Sequence, residues 1–188
     1  EYVHDLVGKR IGVGPQESTT ELSARTAVKV LGLDQNGTEL INCGLGDGAH
    51  MVGQGELDAI HGFSGAPVGG LTELAQEKPC TLLKYTQEEL DSILEQNQFY
   101  RSVVIPAGTY AGQKEDVTTF GVKCLLCVDA SMDDLLVYRL TQEIWAATDR
   151  LAEEHPSMRE MLNREFVCQD LPIPLHPGAQ EFYEDQGV

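Results

Sequence analysis

The stretch VGPQESTTEL, residues 13–22, decides the fold that this sequence predicts. It joins a short apolar run to a Gly-Pro pair and then to three consecutive hydroxyl residues, Ser18, Thr19 and Thr20. Glu21 stands three residues after Ser18, which matches the S/T-x-x-E pattern of a helix N-terminus. The stretch therefore predicts a strand that turns directly into a helix.

The start of that helix has two interpretations. Its first N–H groups have no partners within the helix and carry a partial positive charge, so they can receive a carboxylate. In this interpretation Ser18, Thr19 and Thr20 donate hydrogen bonds to one end of a small organic anion. In the other, Ser18 only caps its own helix, an interaction worth about 1 kcal/mol.

Nucleotide binding by the same stretch is not expected. A P-loop requires G-x-x-x-x-G-K-[ST], and the residues after Gly14 contain neither the second glycine nor the lysine. A dinucleotide turn requires G-x-G-x-x-G, and Glu17 stands where the third glycine belongs. Its carboxylate would repel a pyrophosphate.

Outward from this stretch, short apolar runs alternate with amphipathic segments, which is typical of βαβ units and a parallel or mixed sheet. We expect strands at 10–13, 39–42, 59–62, 81–84 and 100–105. We expect helices at 19–31, 47–52, 67–76 and 87–97. Thr86 with Glu89 and Ser131 with Asp134 repeat the capping pattern, and Gly32 predicts a left-handed stop after the first helix.

The pattern changes after residue 116. Residues 117–128 predict one long strand, and 132–153 predict a long helix with an apolar face that must be buried. That face comprises Leu135, Leu136, Leu140, Ile144, Trp145 and Leu151. Shorter helices are expected at 158–163 and 177–185. We therefore place a domain boundary near residue 117, between parts 1–116 and 117–188.

Charge and cysteine usage exclude several classes of function. The formal charge of −17 argues against nucleic acid and anionic membranes as partners, because both bind clustered Lys and Arg. No apolar run reaches the roughly 20 residues of a membrane helix, and any signal peptide is absent or already removed. Cys124 and Cys127 lie in VKCLLCV, which predicts a buried strand and favours core packing over a redox or zinc role.

A second loop, GELDAIHGFSGAPVGGL, residues 55–71, also ends a strand in small residues and a hydroxyl before a helix. Pro67 is expected at the first helical position. In an open α/β sheet such turns line one crevice at the carboxyl ends of the strands. We therefore expect Ser64, Gly65 and Ala66 to face the same ligand as the first turn.

The alternative for this loop is enzymatic. The letters GFSGA approximate the nucleophile elbow G-x-S-x-G, with Ser64 as the nucleophile of a serine hydrolase and His155 or His176 as its base. No acid partner stands out among the many carboxylates, and no oxyanion segment precedes the loop. His50 and His61 have no paired histidine or cysteine at ligand spacing, so no metal site is expected.

The third stretch, VIPAGTYAGQKEDV, residues 104–117, holds Tyr110 between small residues. A phenol in this setting can reach into a cleft as an apolar wall and a hydrogen-bonding group. It can equally cover the edge of the sheet, and the sequence leaves both interpretations open.

Taken together, the segments resemble the TAXI family of solute receptors, the extracytoplasmic binding proteins of TRAP transporters. The similar segments are DLVGKRIGVG with STTEL, GELDAIHGFSGAP, IPAGTYAGQKEDV and LPIPLHPGAQEFY. They occur in family order over nearly the whole chain, and the last two are the most distinctive.

The resemblance implies an α/β fold of the periplasmic-binding-protein type II class, with this chain as the second lobe, hinge strand and C-terminal helices. It implies a periplasmic or extracytoplasmic receptor without catalysis or cofactor. The solute is a small organic anion or amino acid, such as glutamate or glutamine, held in a cleft between the lobes and delivered to TRAP permease subunits in the membrane. Ser18, Thr19, Thr20, Ser64, Gly65, Ala66 and Tyr110 are the expected ligand-binding residues.

Two departures from the family pattern bear on these expectations. Glu17 and Thr20 replace smaller residues typical of the first turn, so the identity of the solute stays open. Family members also carry a further part of the first lobe before the LVGKR turn. The apolar face of the helix at 132–153 is therefore expected to be covered by a second copy of the chain or by a separate preceding segment.

Overall fold

Strand β1 (Arg10–Gly12) is the centre of a three-stranded parallel sheet, between β2 (Glu39–Ile41) and β3 (Ala59–Ile60). The computed structural model describes residues 1–188, which form two compact units, Glu1–Lys123 and Cys124–Val188. Because the three strands of the first unit are parallel, their carboxyl ends lie at one edge of the sheet. The expected α/β organisation with a parallel sheet is therefore present in the first unit.

A helix follows each of these strands. Helix α1 (Thr19–Val30) follows β1, α2 (Leu45–Gln54) follows β2, and α3 (Gly69–Glu77) follows β3. A further helix, α4 (Gln87–Leu94), leads to an antiparallel pair formed by β4 (Arg101–Ile105) and β5 (Val117–Gly121). Strands β4 and β5 thus form a separate two-stranded sheet and do not pair with the parallel sheet.

The predicted helix signals at α1 and α4 are confirmed. Ser18 Oγ accepts a hydrogen bond from the N–H of Glu21, and Thr86 and Glu89 form a reciprocal capping box. Gly32 adopts the left-handed conformation, with φ of 64°, directly after the end of α1. These ends depend on residues within four positions of one another, so the sequence alone can specify them.

Two clusters form the core of the first unit. Ile11, Val13 and Ala24 pack α1 onto β1, with Val13 fully buried. A larger cluster joins α1, α4 and the antiparallel pair through Ala27, Leu90, Ile93, Tyr100 and Phe120. The rings of Tyr100 and Phe120 lie 5.0 Å apart between centroids. The aromatic cluster therefore ties the antiparallel pair to the first helix.

The second unit consists of helices. They are α5 (Asp134–Ala146), α6 (Thr148–Glu154), α7 (Arg164–Cys168) and α8 (Pro177–Asp185), with a 3-10 segment at Pro156–Leu162. Phe182 is only 2% exposed and lies against Tyr138 and Trp145, with ring centroids 5.4 and 5.9 Å away. Helix α8 therefore packs on α5 through aromatic rings.

Several sequence predictions are wrong in the regular elements. The predicted strand at 81–84 forms only an isolated bridge between Tyr2 and Lys84. The predicted long strand at 117–128 ends at Gly121. Gly121 pairs with Arg101, the first residue of β4, so no residue of β4 remains to pair beyond it. The predicted helix at 132–153 is divided at Ala147, which ends α5 and caps α6.

The side-chain predictions for the same region are also partly wrong. Cys124 and Cys127 are exposed and lie outside any strand, so core packing does not account for them. Ser131 does not cap the next helix; it hydrogen-bonds Asp129, and Asp133 is the cap. The predicted apolar face is not buried: Leu135, Leu136 and Leu140 are exposed, and Ile144, Trp145 and Leu151 are half-buried.

No helix of the chain is both long enough and apolar enough to span a lipid bilayer.

Gly14 lies in the turn between β1 and α1, and its substitution tests how closely Thr20 packs against that turn. Its φ of 87° is left-handed, and a Cβ added there would lie 2.6 Å from the Cβ of Thr20. Gly37 has a similar φ of 76° with no atom within 4 Å of an added Cβ. We expect Gly37→Ala to lower the free energy of unfolding by about 1 kcal/mol, from backbone strain alone. Gly14→Ala should cost roughly 1–3 kcal/mol more, because of the clash.

Urea denaturation of the two variants and the unaltered protein measures both changes. Equal losses in the two variants would contradict the close approach of Thr20 to Gly14.

Candidate functional site

The loops that leave the carboxyl ends of the three parallel strands are joined by hydrogen bonds. The carbonyl of Gly14 accepts from Asn42 Nδ2 at 3.0 Å and from the Cys43 N–H at 3.1 Å. The N–H of His61 donates to the carbonyl of Gly12 at 2.8 Å. The turns after β1, β2 and β3 are therefore fixed against one another, and this edge of the sheet is the candidate site.

At the start of α1, the hydroxyl of Ser18 is engaged by its own turn. It donates to the carbonyl of Pro15 at 2.6 Å and accepts from the Glu21 N–H at 3.1 Å. The N–H groups of Thr19 and Thr20 take no part in these bonds. The capping interpretation of this helix start is therefore confirmed for Ser18, and binding of an anion by the next two amides stays a prediction.

The carboxylate of Glu21 also lies at this helix start. It accepts from the Glu17 N–H at 2.7 Å, and its other oxygen accepts from Arg25 Nε and Nη2 at 2.9 and 2.8 Å. Hydrogen bonds from Arg25, then from Asn42 and the Glu17 N–H, lower the pKa of the Glu21 carboxyl. The helix dipole and Arg25 thus already stabilise one negative charge beside the predicted anion site.

The side chains of Thr19 and Thr20 differ in burial. Thr19 is exposed and lines a shallow, open depression of about 310 Å³ together with Ser18, Leu22 and Arg25. Thr20 is only 7% exposed, and it lies against the turn at Gly14. Thr19 therefore lines the depression, whereas Thr20 packs its Cβ and methyl group against the turn at Gly14.

The loop after β3 carries the second predicted group. Ser64 and Gly65 are exposed and Ala66 is half-buried. The following helix begins at Gly69 with Val68 as its cap, so the prediction that Pro67 opens it is wrong. Val68 is still extended, with φ of −91° and ψ of 127°, so the helical conformation starts only after it.

Tyr110 lies against this same loop. Its hydroxyl accepts a hydrogen bond from the Val68 N–H at 3.0 Å, and its side chain is only 7% exposed. Burial raises the pKa of the phenol. The third predicted stretch is therefore brought to the second, and Tyr110 holds the loop at the start of α3.

His61 lies at this candidate site, and the sequence prediction did not include it. Its Nε2 lies 2.8 Å from Ser23 Oγ on α1, and its ring stacks near those of Phe63 and Phe120, at 6.3 and 6.2 Å between centroids. Burial lowers the pKa of the imidazole to about 4, so the ring is neutral at pH 7. The signal available in the sequence was a histidine at the very end of a buried strand, in DAIHGF.

The hydrolase alternative finds no support in this geometry. Strand β3 ends at Ile60 and α3 begins at Gly69, so Ser64 lies in a long loop and not in the tight turn of a nucleophile elbow. His61, the histidine nearest to it in sequence, is bonded to Ser23.

The two histidines considered as bases are engaged elsewhere. His155 Nδ1 lies 2.7 Å from Ser157 Oγ, and His176 contacts the carbonyl of Met132 while capping α8. Each has a structural partner within the second unit.

The low pKa of His61 makes stability depend on pH. Between about pH 6.5 and pH 4 the unfolded imidazole binds a proton that the folded one does not, so the free energy of unfolding falls as the pH falls. The full effect is on the order of 3 kcal/mol. Urea denaturation at pH 7 and pH 4.5 should therefore show a larger acid-induced loss in the unaltered protein than in His61→Gln. The same loss in both would contradict a neutral, buried His61.

The chain was compared with known protein families. The model of the NMT1-like family, a periplasmic-binding-protein-like family, matches residues 1–187. The mixed α/β fold with its small parallel sheet is compatible with a domain of this kind.

Proposed function

The chain belongs to the NMT1-like family, whose role in general is solute binding, and on that premise we propose that it is a receptor for a small organic anion or amino acid. Glutamate and glutamine are the first candidates. The solute binds at the carboxyl edge of the parallel sheet, between the start of α1 and the loop that precedes α3. The protein delivers the solute to a transporter and does not transform it.

The observation that carries this proposal is the 2.8 Å contact between His61 Nε2 and Ser23 Oγ. It draws the end of β3 against the first turns of α1. Ser18, Thr19 and Thr20 then flank the same edge as Ser64, Gly65 and Ala66. Two adjacent strand-to-helix turns of a parallel sheet are the usual place for a ligand in open α/β folds.

The proposed contacts differ in kind around the site. The amides of Thr19 and Thr20 and the Thr20 hydroxyl bind a carboxylate, while Ser18 keeps the turn in shape through Pro15. Hydrogen bonds to a charged group contribute about 1.5–3 kcal/mol each, so a few that converge suffice for tight binding. Ser64, Gly65 and Ala66 line the facing side, and Tyr110 supports that loop.

Because the protein has a large negative net charge, its affinity for an anionic solute must come from local dipoles. With a formal charge of −17 the protein repels anions at long range, so steering cannot concentrate the solute. The N-terminus of α1 and Arg25 are the positive elements near the first turn. Selection of the solute therefore depends on short contacts.

Transport context is the finer part of the proposal. The segments at 105–117 and 171–183 are the ones most similar to TAXI receptors, and they support a periplasmic or extracytoplasmic protein that docks on TRAP permease subunits. The exposed leucines of α5 are a candidate surface for a second copy of the chain.

A thermal-shift screen with amino acids and dicarboxylates tests the site. A solute at a hundredfold excess over its Kd stabilises the folded state by about 2.7 kcal/mol, which raises the Tm by several degrees. Thr20→Val keeps the shape of the side chain and removes its hydroxyl, so we expect affinity for the solute to fall about tenfold. Thr26→Val is the matched control on the exposed face of α1, where the hydroxyl bonds Leu22.

We expect Thr26→Val to bind as the unaltered protein does. A panel without any stabilising solute, or equal affinities in the two threonine variants, would argue against the proposed site.

A further inference from the structure

The segment between β5 and α5 carries a pair of cysteines that the proposed function does not use. Cys124 and Cys127 stand three residues apart in VKCLLCV, and both side chains are exposed. The other three cysteines, Cys43, Cys80 and Cys168, are half-buried. Because a thiol must be accessible to react with a reagent in solution, the pair at 124 and 127 is the reactive part of this set.

Hydrogen bonds do not hold the backbone of this segment in one conformation. Residues 124–128 belong to no helix or strand and take part in no backbone hydrogen bond. Leu126, which lies between the two cysteines, is 73% exposed. Neither a hydrogen-bond ladder nor burial of Leu126 therefore opposes a change of backbone conformation here.

A β-turn at this position brings the two cysteines within bonding distance. In an extended chain, Cα atoms three residues apart are separated by about 10 Å, which is too far for a disulfide. The first and fourth Cα atoms of a β-turn lie within about 7 Å of each other, and a disulfide requires roughly 4.4–6.8 Å. With Cys124 as the first residue and Cys127 as the fourth, a turn centred on Leu125 and Leu126 satisfies the geometry of the bond.

A metal site is not supported at the same place. A structural zinc ion takes four ligands from the protein. Within residues 1–188, no three side chains of His, Cys, Asp or Glu are grouped so that they could hold a metal ion. Two exposed thiols without a third ligand are instead suited to conversion between a dithiol and a disulfide.

We propose that Cys124 and Cys127 form an internal disulfide when a disulfide oxidant is present, and that this bond closes residues 124–127 into a turn. The thiolate of one cysteine attacks the oxidant, forms a mixed disulfide and releases one thiol. The thiolate of the other cysteine then attacks the protein sulfur of the mixed disulfide and releases the second thiol. Two protein thiols are thus oxidised, one disulfide is reduced to two thiols, and the two protons pass to those thiols.

The compartment in the proposed function suits this reaction, because disulfides form and persist in the periplasm and outside the cell. The inference itself does not depend on the solute site.

Thiol counting by mass spectrometry tests the bond. The reduced full-length chain is incubated with a glutathione buffer rich in the oxidised form, and the remaining thiols are then alkylated in denaturant. Of the five cysteines, two should be lost to the bond, so that three are alkylated in a monomeric chain. A peptide that spans residues 124–127 should contain the disulfide. Because this peptide comes from the unaltered protein, the assignment does not depend on the folding of any variant.

Cys124→Ser and Cys127→Ser each leave one thiol of the pair. We expect both variants to lose the internal bond and to take up one glutathione or to join two chains. Cys168→Ser is the matched control, and it should still lose two thiols. Five free thiols in the unaltered protein, a bond between chains only, or pairing of Cys124 with a half-buried cysteine would each overturn the inference.

Limited proteolysis tests the turn. Chymotrypsin cleaves after large apolar residues in accessible, extended chain, so we expect it to cut the reduced protein after Leu126. The oxidised protein should be cut there at least about fivefold more slowly, and dithiothreitol should restore the rate. Cys124→Ser should be cut at the same rate under both conditions. Equal rates for the reduced and oxidised forms of the unaltered protein would overturn the closure of the segment into a turn.

Discussion

The pairing of β1 with parallel strands on both sides is the constraint on which the rest of the first unit depends. Hydrogen bonds of β1 to β2 and to β3 fix all three strand ends at one edge. Each pairing is only two or three residues long. Such short strands are stabilised mainly by the helices that follow them, since Val13 and Ile11 are buried beneath α1. The edge therefore depends on the packing of α1 on the sheet, and α1 is also the helix whose start forms part of the proposed site.

Electrostatics at this edge involve a compromise between stability and binding. The N-terminus of α1 attracts negative charge, and the chain places the carboxylate of its own Glu21 there, paired with Arg25. That arrangement stabilises the helix without a ligand, and in the proposed function the amides of Thr19 and Thr20 bind the solute beside it. Under the proposed function the start of α1 keeps its shape without a solute, and such preorganisation lowers the entropic cost of binding.

His61 links the aromatic cluster of the first unit to helix α1. Its ring lies beside the aromatic cluster that includes Phe63 and Phe120, and its Nε2 reaches Ser23 on α1. The neutrality of the ring is a consequence of burial among these groups. Packing thus determines the protonation state of the ring.

The sequence by itself determined the features that depend on near neighbours. The cap of α1 by Ser18, the capping box of α4 and the bounds of α8 all follow from residues less than a turn or two apart. The tertiary structure alone decided where the strand at 117–128 stops, since a strand extends only as far as its partner, and whether Cys124 and Cys127 are covered. It also decided the role of His61, because the contact with Ser23 joins positions 38 residues apart, and a distance of that kind is set by packing and not by local sequence pattern.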